Sequence, residues 1–134
     1  MTDAATTFES LKKARYIQLT TFRKDGRAVA TPVWLAPEGD TLLVFTEAES
    51  GKAKRIRNSG RVLVARCDVR GRLEGPAMEA VAELTDDAGT AHVIDAIKRR
   101  YGWQARILQW FAERRSKQAA ARQVGIVIRL APVS

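Results

Sequence analysis

Ser50 and Lys52 stand two residues apart where a β-type run, Thr41–Thr46, gives way to a helical one. A serine hydroxyl, a lysine ammonium and the partnerless N–H groups of a first helical turn converge there, which is the chemistry of phosphate capture. The surrounding string Thr46-Glu47-Ala48-Glu49-Ser50-Gly51-Lys52-Ala53-Lys54-Arg55 extends positive charge past that point through Lys54 and Arg55. The same residues read equally as a capped, solvated helix with a cationic face, and spacing alone leaves both readings open. A second candidate lies upstream, in Ala30-Thr31-Pro32-Val33-Trp34. Proline cannot donate to a β-ladder, so Pro32 marks an edge or a bulge where backbone groups are free for a ligand. Small residues before it (Ala28, Ala30, Thr31) permit close approach of a flat ring. A structural edge proline would account for Pro32 as well.

Side-chain catalysis has little else to draw on. His92 is the only histidine and falls in a helix-type stretch; with one cysteine and no second histidine, a metal site is not expected. Cys67 sits in Val62-Leu63-Val64-Ala65-Arg66-Cys67-Asp68, where a small buried residue is expected and not a reactive thiolate. There is no nucleophile elbow, no P-loop and no glycine fingerprint following a strand. If the chain is an enzyme, something bound to it must perform the hard step.

Charge narrows the partners. The 134 residues carry 23 Lys and Arg against 15 Asp and Glu, a net charge of +8. Residues 51–72 hold eight cations and only Asp68 as an anion; residues 98–122 hold eight more against Glu113. Such asymmetry implies an anionic partner: nucleic acid, an acidic lipid surface, or a phosphorylated or polycarboxylate small molecule. The length fits one domain spanning residues 1–134 and excludes separate cofactor and substrate domains. No apolar run reaches membrane-span length and Met1–Ser10 is not a basic-then-apolar leader, so a cytoplasmic protein is expected, with no membrane partner.

The elements that must position these residues read mainly as strands. Thr6 or Thr7 would cap a short helix through Ala14. Tyr16–Phe22 and Arg27–Leu35 flank Lys24-Asp25-Gly26, a hairpin signal. Pro37–Asp40 reads as a turn into Thr41–Thr46, giving three strands in meander. Ser50–Asn58 reads as a helix, Arg61–Val69 and Ala77–Leu84 as strands, and Asp86 and Asp87 as the start of another helix. That helix has Val93, Ile94, Ile97 and Tyr101 as its stripe. After Gly102 a further helix carries Trp103, Ile107, Trp110 and Phe111, and Gln123–Leu130 closes the fold as a strand. Tight links between the first strands exclude a parallel βαβ array and predict a small six-stranded antiparallel barrel.

Taken in this order, GRAVATPVW followed by LLVFTEAESGKAKRIRNSGRVLVA resembles the split-barrel flavin/deazaflavin oxidoreductases, the group related to pyridoxamine 5′-phosphate oxidase. The similarity is greatest to the actinobacterial branch that uses the deazaflavin coenzyme F420, and it covers residues 8–85 and the closing strand. The resemblance implies a homodimer of six-stranded split barrels with a cofactor groove at each subunit interface. It implies that Ser50 and Lys52 hold the cofactor phosphate with Lys54 and Arg55 close by. Thr31, Pro32 and Val33 would line the tricyclic ring, and Thr46, Glu47 and Ala48 the ribityl chain. Asn58-Ser59-Gly60 replaces the family's common Asn-Pro. The arginine clamp that FMN-dependent oxidases carry near the first strands is not recognisable, which favours deazaflavin over FMN.

The function so implied is hydride transfer from reduced coenzyme F420 to a conjugated small molecule, with Trp34 and Trp110 beside the substrate and no protein nucleophile. Trp103, Trp110 and Phe111 read equally as plain core. Three rivals follow: an FMN-dependent oxidase or reductase of the same fold, a non-enzymatic flavin or F420 carrier, and a basic nucleic-acid-binding module. Against the last, residues 51–72 contain no aromatic to stack on a base.

Overall fold

The computed structural model describes residues 4–101 and 122–131. Helix α1 (Ala4–Lys12) leads into seven strands, β1 (Tyr16–Phe22), β2 (Ala28–Trp34), β3 (Ala36–Glu38), β4 (Thr41–Glu47), β5 (Arg61–Cys67), β6 (Met78–Leu84) and β7 (Gln123–Leu130). Helix α2 (Gly51–Asn58) lies between β4 and β5, and α3 (Asp87–Tyr101) follows β6. The strands form one wholly antiparallel sheet in the order β2-β1-β5-β6-β7-β4-β3.

The two edge strands of that sheet, β2 and β3, are joined through a single residue, Leu35. A one-residue link holds both edges together at one corner, so the sheet must curl into a half-barrel. Inside the curl lies the main core: Ile17 and Leu19 of β1, Leu42 and Val44 of β4, Val62 and Val64 of β5, Ile126 and Ile128 of β7, with Leu35 at the corner. Phe8 and Leu11 of α1 and Ile56 of α2 join it. The continuous apolar run Leu42–Phe45 is explained by cover on both faces. Leu42 and Val44 point inward, while Leu43 and Phe45 pack outward with Val93, Ile97 and Tyr101 of α3.

Several sequence expectations need correction. The three-strand meander is only a hairpin: β1 pairs with β2, but β4 pairs with β7 along its whole length, on the far side of the sheet. The count is seven, not six, because Ala36–Glu38 pairs with Thr41–Leu43 and shrinks the expected four-residue turn to Gly39 and Asp40. Gly39 takes the left-handed φ of 55° that this tight reversal requires. Helix α1 starts at Ala4, so Thr6 and Thr7 lie within it. Strand β5 stops at Cys67 because the Asp68 carboxylate accepts the N–H groups of Arg70 and Arg72, both at 2.9 Å, bending Val69 out of the ladder.

Other expectations hold in detail. Ser50 is the N-cap of α2, its hydroxyl accepting from Ala53 N at 3.1 Å. Asp86 caps α3 by accepting from Gly89 N at 2.8 Å. Strand β7 has the expected bounds, and β6 starts one residue later than expected, at Met78. The helix expected around Trp103–Phe111, and with it Trp110, lies outside the described residues.

Candidate active site

The seam of the half-barrel, where β2 and β4 diverge from the Leu35 corner, opens into a cleft of about 450 Å³. Pro32, Val33 and Trp34 line it from β2, Thr46 and Glu47 from the end of β4, and Ser50 and Lys52 from the start of α2. The two features that the sequence offered separately thus face one space. Pro32 sits on the edge strand, as its missing N–H demands.

Local bonding explains the shape of the phosphate-type end. Ser50 N donates to Glu47 O at 3.0 Å, turning the chain sharply after β4, and the Ser50 hydroxyl lies 3.2 Å from that of Thr46. The turn is pinned from behind: Ala48 N donates to Arg122 O at 2.8 Å, and the Arg57 guanidinium donates to Ala48 O at 2.9 Å. With Ala53 N taken by the cap, the N–H groups of Gly51 and Lys52 are the first-turn donors left without an intrahelical acceptor. Lys52 is half-buried, and burial, assisted by the nearby Arg55 charge, holds its ammonium below the usual lysine pKa. Among the described residues no carboxylate pairs with it. A desolvated cation beside free amide donors, with no counter-charge among the described residues, suits an anionic phosphate from outside.

The remaining expected residues are placed elsewhere. Thr31 is not among the residues lining the cleft, and its hydroxyl is buried without a hydrogen-bond partner. Ala48 is fully buried and acts through the backbone contacts just described. Lys54 and Arg55 do not line this cleft; they line a different hollow, against the β1–β2 turn. Helical phase accounts for Lys54, which stands about 200° around the axis from Lys52; Arg55, nearly a full turn on, stays near Lys52 but is drawn from the cleft by its bond to the Thr21 hydroxyl.

Tyr16, Phe45, Val69 and Gln123 also line the cleft and were not foreseen. Tyr16 and Gln123 each begin a strand, and Val69 reaches the rim because Asp68 bends the chain there. The Gln123 side-chain oxygen is buried with no partner, a further group open to a ligand donor. Behind the cleft, Trp34 packs against Tyr101 with ring centroids 6.2 Å apart. The Tyr101 hydroxyl bridges Arg15 O (2.6 Å) and the Leu35 backbone, and Arg100 donates to Leu35 O (2.7 Å) and Ala14 O (2.8 Å). The end of α3 therefore fixes the corner from which the cleft opens; sequence periodicity marked Tyr101 only as an apolar stripe residue. Cys67 is buried and its thiol is pushed up to about 11, chiefly by desolvation, so it stays a neutral thiol at ordinary pH. His92 lies outside the cleft and ties α3 to β3 through Glu38 at 2.5 Å.

A curled antiparallel sheet with a polar-ended cleft along its seam defines a split barrel. The chain belongs to the family described as pyridoxamine 5′-phosphate oxidase, whose model matches residues 1–133. No curated protein matches the sequence. Among solved structures, the chain is similar to a conserved hypothetical protein from Mycobacterium tuberculosis, at 23% identity and a TM-score of 0.68, over 98% of this chain and 82% of that one. It is similar to an F420 reductase at 21% identity and a TM-score of 0.61, over 95% of each chain. A FAD-binding protein from Mesorhizobium loti aligns at 18% identity and a TM-score of 0.67, covering 98% of this chain and 90% of that one. At these identities the likeness establishes a shared fold.

Proposed function

We propose that the protein is an oxidoreductase that binds coenzyme F420 in the seam cleft and passes a hydride to a conjugated small molecule. One observation carries the reading: a single cleft joins a proline-bearing edge strand to a helix start where Lys52 is desolvated and, among the described residues, has no carboxylate partner. Ser50, Lys52 and the first amides of α2 hold the phosphate, and Gln123 offers an acceptor nearby. Pro32, Val33 and Trp34 lie along the ring, while Tyr16, Phe45 and Val69 exclude water from it. When bound, reduced deazaflavin supplies two electrons and a hydrogen as hydride, and the reduced substrate takes up a proton from its surroundings. The chain contributes position and a dry surface; effective molarity from such placement is a large catalytic resource.

The departure from the FMN clamp favours F420, and the structural neighbour named as an F420 reductase agrees with it. FMN is the second reading, favoured by the family model and by the neighbour named for FAD binding. We further propose that the protein is a cytoplasmic homodimer whose partner subunit closes the cleft, with Trp34 and Trp110 beside the substrate. Among the described residues no helix is long and apolar enough to cross a membrane. Titration of the purified protein with F420, FMN, FAD and heme, followed by fluorescence and calorimetry, tests the assignment. Saturable F420 binding with one site per chain is expected; uptake of heme alone, or of none of the four, would overturn it.

A further inference from the structure

Beyond the cleft, between α2 and the β1–β2 turn, lies a second hollow of about 470 Å³. Arg23, Lys24, Asp25 and Arg27 of the β1–β2 turn form one wall, and Lys54 and Arg55 of α2 the other. Asp25 is already committed to Arg27, at 2.8 Å, and accepts that residue's N–H as well. Among the described residues no carboxylate pairs with Arg23, Lys24, Lys54 or Arg55. Four like charges around one depression repel each other and raise the local affinity for anions.

Arg55 is built into place. Its Nε donates to the hydroxyl of Thr21 at 2.6 Å, and Thr21 is itself buried. Its guanidinium folds back over Gly51, where a Cβ would stand 2.7 Å from Nη1. The absence of a side chain at Gly51 is what lets the arginine lie there. Fixing Nε in this way leaves both Nη groups free to meet an incoming ligand, with the rotamer cost already met by the fold. A planar two-pronged donor of this kind matches a phosphate or a carboxylate.

We propose that this hollow is a second anion-binding site, separate from the cleft, in which Arg55 grips a phosphate or carboxylate group with Lys54, Arg23 and Lys24 around it. The anion comes either from a chain extending out of the cleft across Gly51 or from a free polyanion.

The test uses inorganic pyrophosphate, titrated into the purified full-length protein and followed by amide NMR shifts. Shifts at residues 22–26 and 54–55 are expected, weakened about fivefold or more by R55Q and by R23Q/K24Q but not by K52Q. The double variant changes only exposed turn residues, so it decides the matter if R55Q fails to fold. Shifts confined to residues 46–52, or wild-type affinity in both arginine variants, would overturn the site. Cofactor affinity measured on the same variants judges the cleft independently. Displacement of pyrophosphate from the hollow by F420 but not by FMN upholds the site and assigns its anion to the cleft ligand; displacement by neither upholds it as a site for a free polyanion.

Discussion

Replacing Lys52 with methionine removes the ammonium while keeping the aliphatic bulk that lines the cleft. A unit charge about 4 Å from a phosphate oxygen is worth roughly 4 kcal/mol at the effective dielectric of about 20 suited to such positions. Displaced hydration of the phosphate offsets much of this, and hydrogen bonds to charged groups retain a net of about 1.5–3 kcal/mol. Cofactor affinity should therefore fall about 10- to 150-fold. Isothermal calorimetry with F420 and FMN reads this directly. Thermal unfolding of the free protein supplies the control: burial lowers the Lys52 pKa, so the charged form is held at a cost, and K52M should unfold no lower than wild type. The sign of the pH effect follows. As pH rises through the depressed pKa, the folded chain loses this proton before the unfolded chain, whose lysine titrates near 10.5. The unfolded state then binds more protons, so the Lys52 contribution to stability rises with pH while anion affinity falls; K52M should show neither trend. A change in affinity of less than about threefold, with the fold intact, would refute the phosphate assignment.

Gly125 has no room for a methyl group, since a Cβ would lie 2.7 Å from the Thr85 hydroxyl and 2.9 Å from a Val93 methyl. Gly125→Ala should cost about 1–3 kcal/mol in urea unfolding, because it also disturbs the bond from Gly125 N to the Thr90 hydroxyl, now 2.9 Å. Cys67 should make the protein less stable in alkali: its thiol ionises near 9.0 in the unfolded chain but near 11 in the fold. The unfolded state sheds its proton first between those values, so stability falls with rising pH there, and Cys67→Ala should flatten the decline in urea midpoints.

How much of this could be read in advance follows from the range of each interaction. The cap at Ser50 and the Lys24-Asp25-Gly26 reversal are decided within a few residues, and both appear where local chemistry put them. The partner of β4 is decided at long range. Nothing near Thr41–Glu47 says that its ladder runs along β7, some eighty residues on, and the short loop before it suggested β2 instead. Strand β3 escaped notice because three residues containing Pro37 carry no alternation to detect. The same division runs through the site. Ser50, Lys52 and Pro32 announce themselves by type; Gln123 and Val69 enter the cleft only because the sheet curls and Asp68 bends the chain. Lys54 and Arg55 were grouped with Lys52 because they are neighbours in sequence, whereas helical phase turns Lys54 away and the bond to Thr21 draws Arg55 into the second hollow.

The Leu35 corner joins these levels. Two sheet edges meet through one residue, so any slack there would widen the seam and separate Pro32–Trp34 from Thr46–Lys52. The corner is held at its backbone by Tyr101 and Arg100, while the Leu35 side chain is fully buried in the barrel core. Burial also holds the Tyr101 hydroxyl above its usual pKa, which keeps it a neutral hydrogen-bonding group across the working range. A cleft that catalyses by position needs its two walls fixed before the ligand arrives. In this chain the wall bearing Pro32–Trp34 and the wall bearing Thr46–Lys52 belong to separate elements, and the spacing between them is set by one leucine clamped from outside by the end of a helix.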